Sequence, residues 1–390
     1  MIAPAPYHTL RRLQITERRI DPLRAPMVSD ERKLSALWET ILSNPDLTNV
    51  SVIDADGHAR DRDAELRKFI AEPYCRRQGS LLPADVWDSS MYGKLGLRVD
   101  DVPTRLRDMD KEQIDISVLF PTSSFAVTQL PEKDYAAAYC RGYNDWIASV
   151  CAESPRLKAV GLVPFQDVDA ACKEVQRAVV DLGLVGITVA TFGLKEHAGQ
   201  AQFWPIYQEL EKLNVPLLIH NSRQGPAGEI RFDTFLFRHT IGRPFETLLD
   251  CAALIYGGVP EKFANLRVAF LECGCGWVPY WMDRMDEEWE KRQCEAPLLK
   301  KKPSEYLTSG NWFYATEPEE STLPYCLEKV GEDVILFASD YPHWDGSFPN
   351  MTRMVRERRD VSDQQKRKIM RDNAIKLYGW NGSEGAYVET

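Results

Sequence analysis

No apolar run in this chain approaches the roughly 20 residues that a membrane-crossing helix needs; the longest stretches, such as 215–219, are far shorter. A membrane partner is therefore not expected. Basic charge is in deficit as well. The 48 Lys and Arg residues face 58 Asp and Glu, for a formal net charge of -10. A general binder of nucleic acid needs a basic surface, so that class is excluded. Paired cysteines are missing too. The nine cysteines, Cys75, Cys140, Cys151, Cys172, Cys251, Cys273, Cys275, Cys294 and Cys326, are odd in number and scattered, unlike a disulfide framework. Cys273 and Cys275 have no second pair to complete a structural zinc site. This usage fits a reducing cytoplasm. The first residues, with Pro4, Pro6 and His8, show no apolar signal core.

What is present is a soluble composition, 44% hydrophobic and 27% charged, with enough apolar residues for a large core. Residues 1–48 are polar and Arg-rich, with one helical pattern near 30–43, and read as an N-terminal extension. The remainder, 49–390, alternates. Apolar runs near 50–55, 116–121, 158–163, 185–190, 215–220, 267–272, 311–315 and 334–339 read as buried strands. Helical patterns fall between them, over 133–152, 167–182, 200–213, 244–257, 277–292, 319–330 and 362–378. Gly183 stands where a helix-ending glycine is expected. Eight strands alternating with helices predict an α/β fold, a (β/α)8 TIM barrel. An open doubly wound sheet is the alternative, but no glycine-rich phosphate loop follows an early strand. Long loops are expected after strand 1 (57–103) and strand 5 (221–243), where barrels build pockets.

Only six histidines are available, so each placement is informative. Strand 1 runs into Asp56-Gly57-His58, strand 5 ends in His220, strand 6 in Glu272, and strand 8 in Asp340, followed by His343. Alternate residues of a strand share a face, so Asp56 and His58 can point together into the barrel mouth. Any one of these is unremarkable: His220 as a core histidine, Asp340 as a turn cap, Asp56 as a turn residue. Four strands ending in metal-competent side chains at the catalytic end of a barrel point instead to a divalent metal, zinc, manganese or iron, one or two per chain. Asp61 reads either as a second ligand or as a solvated loop charge. His343 reads either as a ligand or as a hydrogen-bonding group of the strand-8 loop. His239 and Arg243, with Arg231 and Arg238 nearby, read either as a clamp for a substrate carboxylate or as surface charges. Arg243 precedes Pro244, which reads as a helix start. The series Trp277, Tyr280 and Trp281 reads as packing.

Several motifs carry a family likeness. They are Val52-Ile53-Asp54-Ala55-Asp56-Gly57-His58, Met109 to Asp115, Phe203-Trp204-Pro205-Ile206-Tyr207, Val215 to His220, Arg243 to Thr247, Leu336 to His343, and Asn373-Ala374. In these the chain resembles the amidohydrolase-related family that includes aminocarboxymuconate semialdehyde and γ-resorcylate decarboxylases. The resemblance implies metal ligands at Asp56, His58, His220 and Asp340. It departs from the family in two places. Asp56 replaces a histidine, and Glu272 replaces the histidine often found at the end of strand 6. Glu272 is thus a candidate ligand as well as a candidate catalytic group beside Asp340.

The expected function is a metal-dependent hydrolase or decarboxylase acting on a small carboxylated organic molecule. Two alternatives stay open. One is a dinuclear non-heme iron or manganese–iron oxygenase with an electron-donor partner, which relatives with extra carboxylates resemble. The other is a non-catalytic metal-binding subunit. A homodimer, or a heterodimer with a related barrel, is the expected assembly.

Overall fold

A computed structural model describes residues 51–83, 101–221, 232 and 234–380. The expected extension, its helix near 30–43, Arg231, and parts of the two long loops lie outside the described residues. Eight strands run in chain order: β1 (Ile53–His58), β2 (Ile116–Phe120), β3 (Leu157–Ala159), β4 (Ile187–Ala190), β5 (Leu217–His220), β6 (Val268–Leu271), β7 (Trp312–Thr316) and β8 (Ile335–Phe337). All pair in parallel, as β1-β2-β3 and as β4 through β8. These segments are rich in Val, Ile, Leu and Phe, and nearly all of their residues are buried, as expected of strands covered on both faces.

Two seams join the strand groups. Between β3 and β4, Gly161 donates to the Gly186 carbonyl at 2.9 Å and Thr188 donates to that of Gly161 at 3.0 Å. Between β8 and β1, Asp340 donates to the Asp56 carbonyl at 2.9 Å and His58 to that of Tyr341 at 2.7 Å. The sheet therefore closes on itself, which excludes the open doubly wound alternative.

The principal helices are α1 (Val102–Glu112), α2 (Lys133–Cys151), α3 (Val168–Gln176), α4 (Trp204–Lys212), α5 (Phe235–Tyr256), α6 (Trp277–Arg292) and α7 (Leu323–Lys329), followed by short helices to Tyr378. After α3 the chain continues as a wider turn over Arg177–Asp181, and Gly183 then adopts φ +70° at the expected stop. The patterning missed α1. Its signals are local: the Asp101 carboxylate accepts from Thr104 N–H at 2.6 Å, Pro103 sits in the first turn, and Gln113 closes the helix at φ 57°.

Helix α5 starts at Phe235 rather than at 244, so Pro244 lies inside it. The proline removes one helix hydrogen bond. The preceding turns are held by packing, with Phe235, His239 and Trp344 forming an aromatic cluster with centroids 5.0–5.7 Å apart. On α6, Trp277 packs against Phe270 and Tyr314 as expected, whereas Tyr280 is exposed.

The β8–β1–β2 region is tied together by one buried side chain. Asp54 accepts from Ser117 Oγ at 2.8 Å, Ser339 Oγ at 2.8 Å and Ser339 N–H at 2.9 Å. Burial raises its carboxyl to about 6, against the opposing effect of these hydrogen bonds. We expect Asp54→Ala to lower stability by about 2–4 kcal/mol, because two buried hydroxyls and an N–H lose their acceptor. Urea denaturation of the metal-free protein checks this; an unchanged midpoint would show that Asp54 does not hold the seam.

Candidate metal centre

The polar residues at the strand ends converge. His58 Nε2 lies 3.6 Å from Asp56 Oδ1 and 3.1 Å from Asp340 Oδ1. His220 Nε2 lies 3.4 Å from Asp56 Oδ2 and 3.3 Å from Glu272 Oε2. Two groups with ligand spacing result: Asp56, His58 and His220; and His58, Glu272, Asp340 and His343. They share His58. No cysteine joins either group among the described residues.

Backbone geometry aims these side chains. A bulge in β1 between Asp54 and Gly57 lets Asp54 face Ser117 while Asp56 and His58 reach the mouth. Glu272 and Asp340 both adopt left-handed backbone, φ 56° and φ 51°. The two other non-glycine residues of this kind among the described residues, Gln113 and Asn214, follow helix ends, where the conformation is ordinary. At a strand end, away from any cap, it costs about 1–3 kcal/mol. The result is that both carboxylates turn back over the barrel axis.

The histidine ring orientations are set by carbonyls. His58 Nδ1 donates to the Pro121 carbonyl at 2.7 Å, and His220 Nδ1 to that of Asn221 at 2.8 Å. That leaves each Nε2 as a lone pair directed into the site. Burial, and then the charge of His343, lower the His58 pKa to about 4, so it is neutral at physiological pH. Burial acts against the charges of Asp340 and His343, but their mutual contact at 2.5 Å prevails. It holds Asp340 well below the usual carboxylate range and His343 above the usual imidazole value.

A metal fits this donor set. Asp56 Oδ1 and Oδ2, His58 Nε2 and His220 Nε2 are buried without a hydrogen-bond partner. Buried polar atoms are costly when unsatisfied, and a cation is the partner that acceptor-only atoms lack.

The remaining candidates are placed as follows. Glu272 faces the axis, with Oε2 3.3 Å from His220 Nε2, and also pairs with Arg243. Arg243 and His239 both lie on α5 but meet different partners: His239 Nε2 is 3.3 Å from Asp345. Arg238 donates through Nε to the Phe232 carbonyl. Asp61 belongs to neither ligand group and is not a solvated charge. It is 4% exposed and accepts backbone N–H bonds from Thr122, Ser123 and Ser124 at 2.6–3.2 Å, which fixes the loop after β2.

Two residues escaped the sequence reading. Asn221 spans β5, β6 and α5, donating to the Leu271 and Glu272 carbonyls at 3.3 and 2.5 Å and accepting from Thr247 at 2.9 Å. Its position directly after His220 was the available signal. Phe125 stacks on the His220 ring, centroids 4.3 Å apart, and nothing in its local sequence marks it.

The family model described as Amidohydrolase matches residues 53–380. The chain belongs to that family. Among curated amidohydrolase relatives, it is 30% identical over 323 residues to a γ-resorcylate decarboxylase of a Rhizobium species, covering 77% of this chain and 93% of the relative. It is 25% identical to a 2-amino-3-carboxymuconate-6-semialdehyde decarboxylase of Dictyostelium discoideum, covering 75% and 80%. The structure of 2,6-dihydroxybenzoate decarboxylase from Rhizobium superposes with a TM-score of 0.66 at 25% identity, covering 85% of this chain and 99% of that one.

His220→Ala removes a candidate ligand without touching strand pairing. The variant should keep its circular dichroism spectrum and bind metal more weakly than Asn221→Ala. The latter removes only an outer support and should lose roughly 10–100-fold in affinity. Competition with a chromophoric chelator measures both; a His220→Ala protein with wild-type affinity would remove His220 from the ligand set.

Proposed function

We propose that this amidohydrolase is a metal-dependent lyase that removes carbon dioxide from a small aromatic carboxylic acid. The supporting observation is the Asp340–His343 ion pair, a poised proton store 3.1 Å from His58 at the barrel mouth. The curated relatives include a decarboxylase named for an aromatic acid of this kind, γ-resorcylate. Asp56, His58, His220 and Asp340 would hold a divalent ion; the mixed carboxylate and imidazole donors suit manganese, iron or zinc. When bound, that ion supplies positive charge that orients the substrate's carboxylate and hydroxyl oxygens.

The chain's own groups do the rest. Arg243 offers a bidentate fork for a carboxylate once it exchanges Glu272 for substrate. The bond between the ring carbon and the carboxyl carbon breaks. Its electron pair stays on the ring carbon, which takes a proton from the His343–Asp340 pair as carbon dioxide leaves. Phe125 and the Phe235–His239–Trp344 cluster provide apolar surface beside the site for an aromatic ring.

A second reading is favoured by one feature, the three carboxylates, Asp56, Glu272 and Asp340, that stand among the histidines of the mouth. With Glu272 as a ligand, the site would hold two ions and suit an oxygenase dependent on an electron donor. Metal stoichiometry separates the two readings. A single ion per chain, with carbon dioxide released from hydroxybenzoates by the purified protein alone, supports the lyase. Two ions including iron, with no release, support the oxygenase. Under the lyase reading, Asp340→Asn should lower turnover by at least about 100-fold, since a positioned proton donor contributes roughly that much. A carbon dioxide release assay reads this, and wild-type turnover in the variant would overturn the assignment. We also propose a dimeric working assembly; sedimentation as a strict monomer at micromolar concentration would overturn that.

A further inference from the structure

The described residues enclose a second cavity of about 800 Å³, distinct from the ligand groups at the mouth. It lies between the loop after β4, residues 191–201, and the second half of α5, with residues 295–298 along its third side. Glu246, Asp250, Ala253 and Gly257 recur at helical spacing and present one face of α5 to it. One end is sealed by backbone. Gly199 approaches so closely that a Cβ there would collide with the Ala253 carbonyl, and one on Gly257 would meet the Gly199 carbonyl.

Acidic groups predominate in the wall. Glu196, Glu246, Asp250 and Glu295 bring carboxyl groups to it, with Glu295 paired to Arg292, and no Lys or Arg among the described residues lines it. Lys262 stands over the outer part of the wall at the Trp204 ring, 5.6 Å from its centroid, without lining the cavity. Asp250 is 9% exposed, and its carboxyl has no hydrogen bond or ion pair among the described residues. The groups that face it are Glu246, one turn earlier on α5, Tyr207, whose hydroxyl donates to the Ala198 carbonyl, and Cys251. None is a cation. Burial, and then Glu246, hold the Asp250 carboxyl well above its usual range, as expected of an acid with no counter-charge. Nearby, Trp204 Nε1 is a buried donor without an acceptor, and Trp204 and Tyr256 add aromatic surface to the lining.

We propose that this cavity binds a small organic cation, an ammonium group on an aromatic stem bearing a neutral oxygen, with Asp250 as its counter-ion. The ammonium replaces the missing positive charge beside Asp250. The aromatic stem lies against Trp204 and Tyr256, where cation and ring both find favourable faces. The oxygen accepts from Trp204 Nε1.

The probe is 4-methoxyphenethylamine, titrated calorimetrically into the full-length protein in the presence of a chelator. Its neutral isostere, 2-(4-methoxyphenyl)ethanol, is the control. The amine should bind with the metal centre empty, and the alcohol should bind more than about tenfold more weakly, since the charge-assisted bond is lost. Asp250→Asn keeps the shape and should lose affinity by a similar factor while retaining the metal content of the wild type. Trp204→Phe, an independent variant, should weaken binding less. Equal binding of amine and alcohol, unchanged affinity in Asp250→Asn, or no heat from the amine at millimolar concentration would each overturn the proposal.

Discussion

The seam between β8 and β1 is the constraint on which the site depends. Asp54 draws Ser339 and Ser117 to itself, and the backbone N–H of Asp340 reaches the Asp56 carbonyl. The first ties the last strand to the first two; the second places two acidic groups of the mouth within one hydrogen bond of each other. A closed parallel barrel has no free edge, so any change in strand register at this seam would move Asp56, His58 and Asp340 together. Closure of the fold and assembly of the candidate ligand set are therefore the same event.

Charge at the mouth is organised in layers around that seam. Innermost are buried acceptor atoms with no protein donor, the environment a cation completes. Around them stand groups whose charges are already matched, with His343 on Asp340 and Arg243 on Glu272. Matching keeps Asp340 ionised in a place where burial alone would raise its pKa. It also leaves the outer cations available to exchange partners when an anionic molecule enters.

Much of this was legible in the sequence, for reasons tied to particular residues. Buried parallel strands read as short apolar runs, and all eight lie close to the expected positions because Val, Ile and Leu there have no solvent face to alternate with. Asp56, His58, His220, Glu272 and Asp340 were legible because each ends such a run, where chain direction sets the position. Helix α1 was lost because its stop, Gln113, is not the glycine that usually marks a left-handed turn. The start of α5 was misplaced because Pro244 carries a strong local signal, and packing by Phe235 and Trp344 overrides it. Asp61 was legible as a charge but not as a loop anchor, since its three donors lie some sixty residues away. Phe125 could not be found at all: stacking on His220 is a tertiary fact with no periodic trace.

The left-handed backbone at Glu272 and Asp340 has a consequence for how this site can be altered. A position held at positive φ sorts replacements by shape before it sorts them by chemistry. Asparagine and glycine enter at little conformational cost, while threonine, valine and isoleucine are resisted by the collision of a branched Cβ with the main chain. A randomised library at these two positions would therefore be thinned by sterics first, leaving a narrow set in which amides and small residues stand beside the acids. Functional divergence at this rim is channelled towards exchanges between carboxylate and carboxamide. It passes more readily through the electrostatics of the pocket than through its volume.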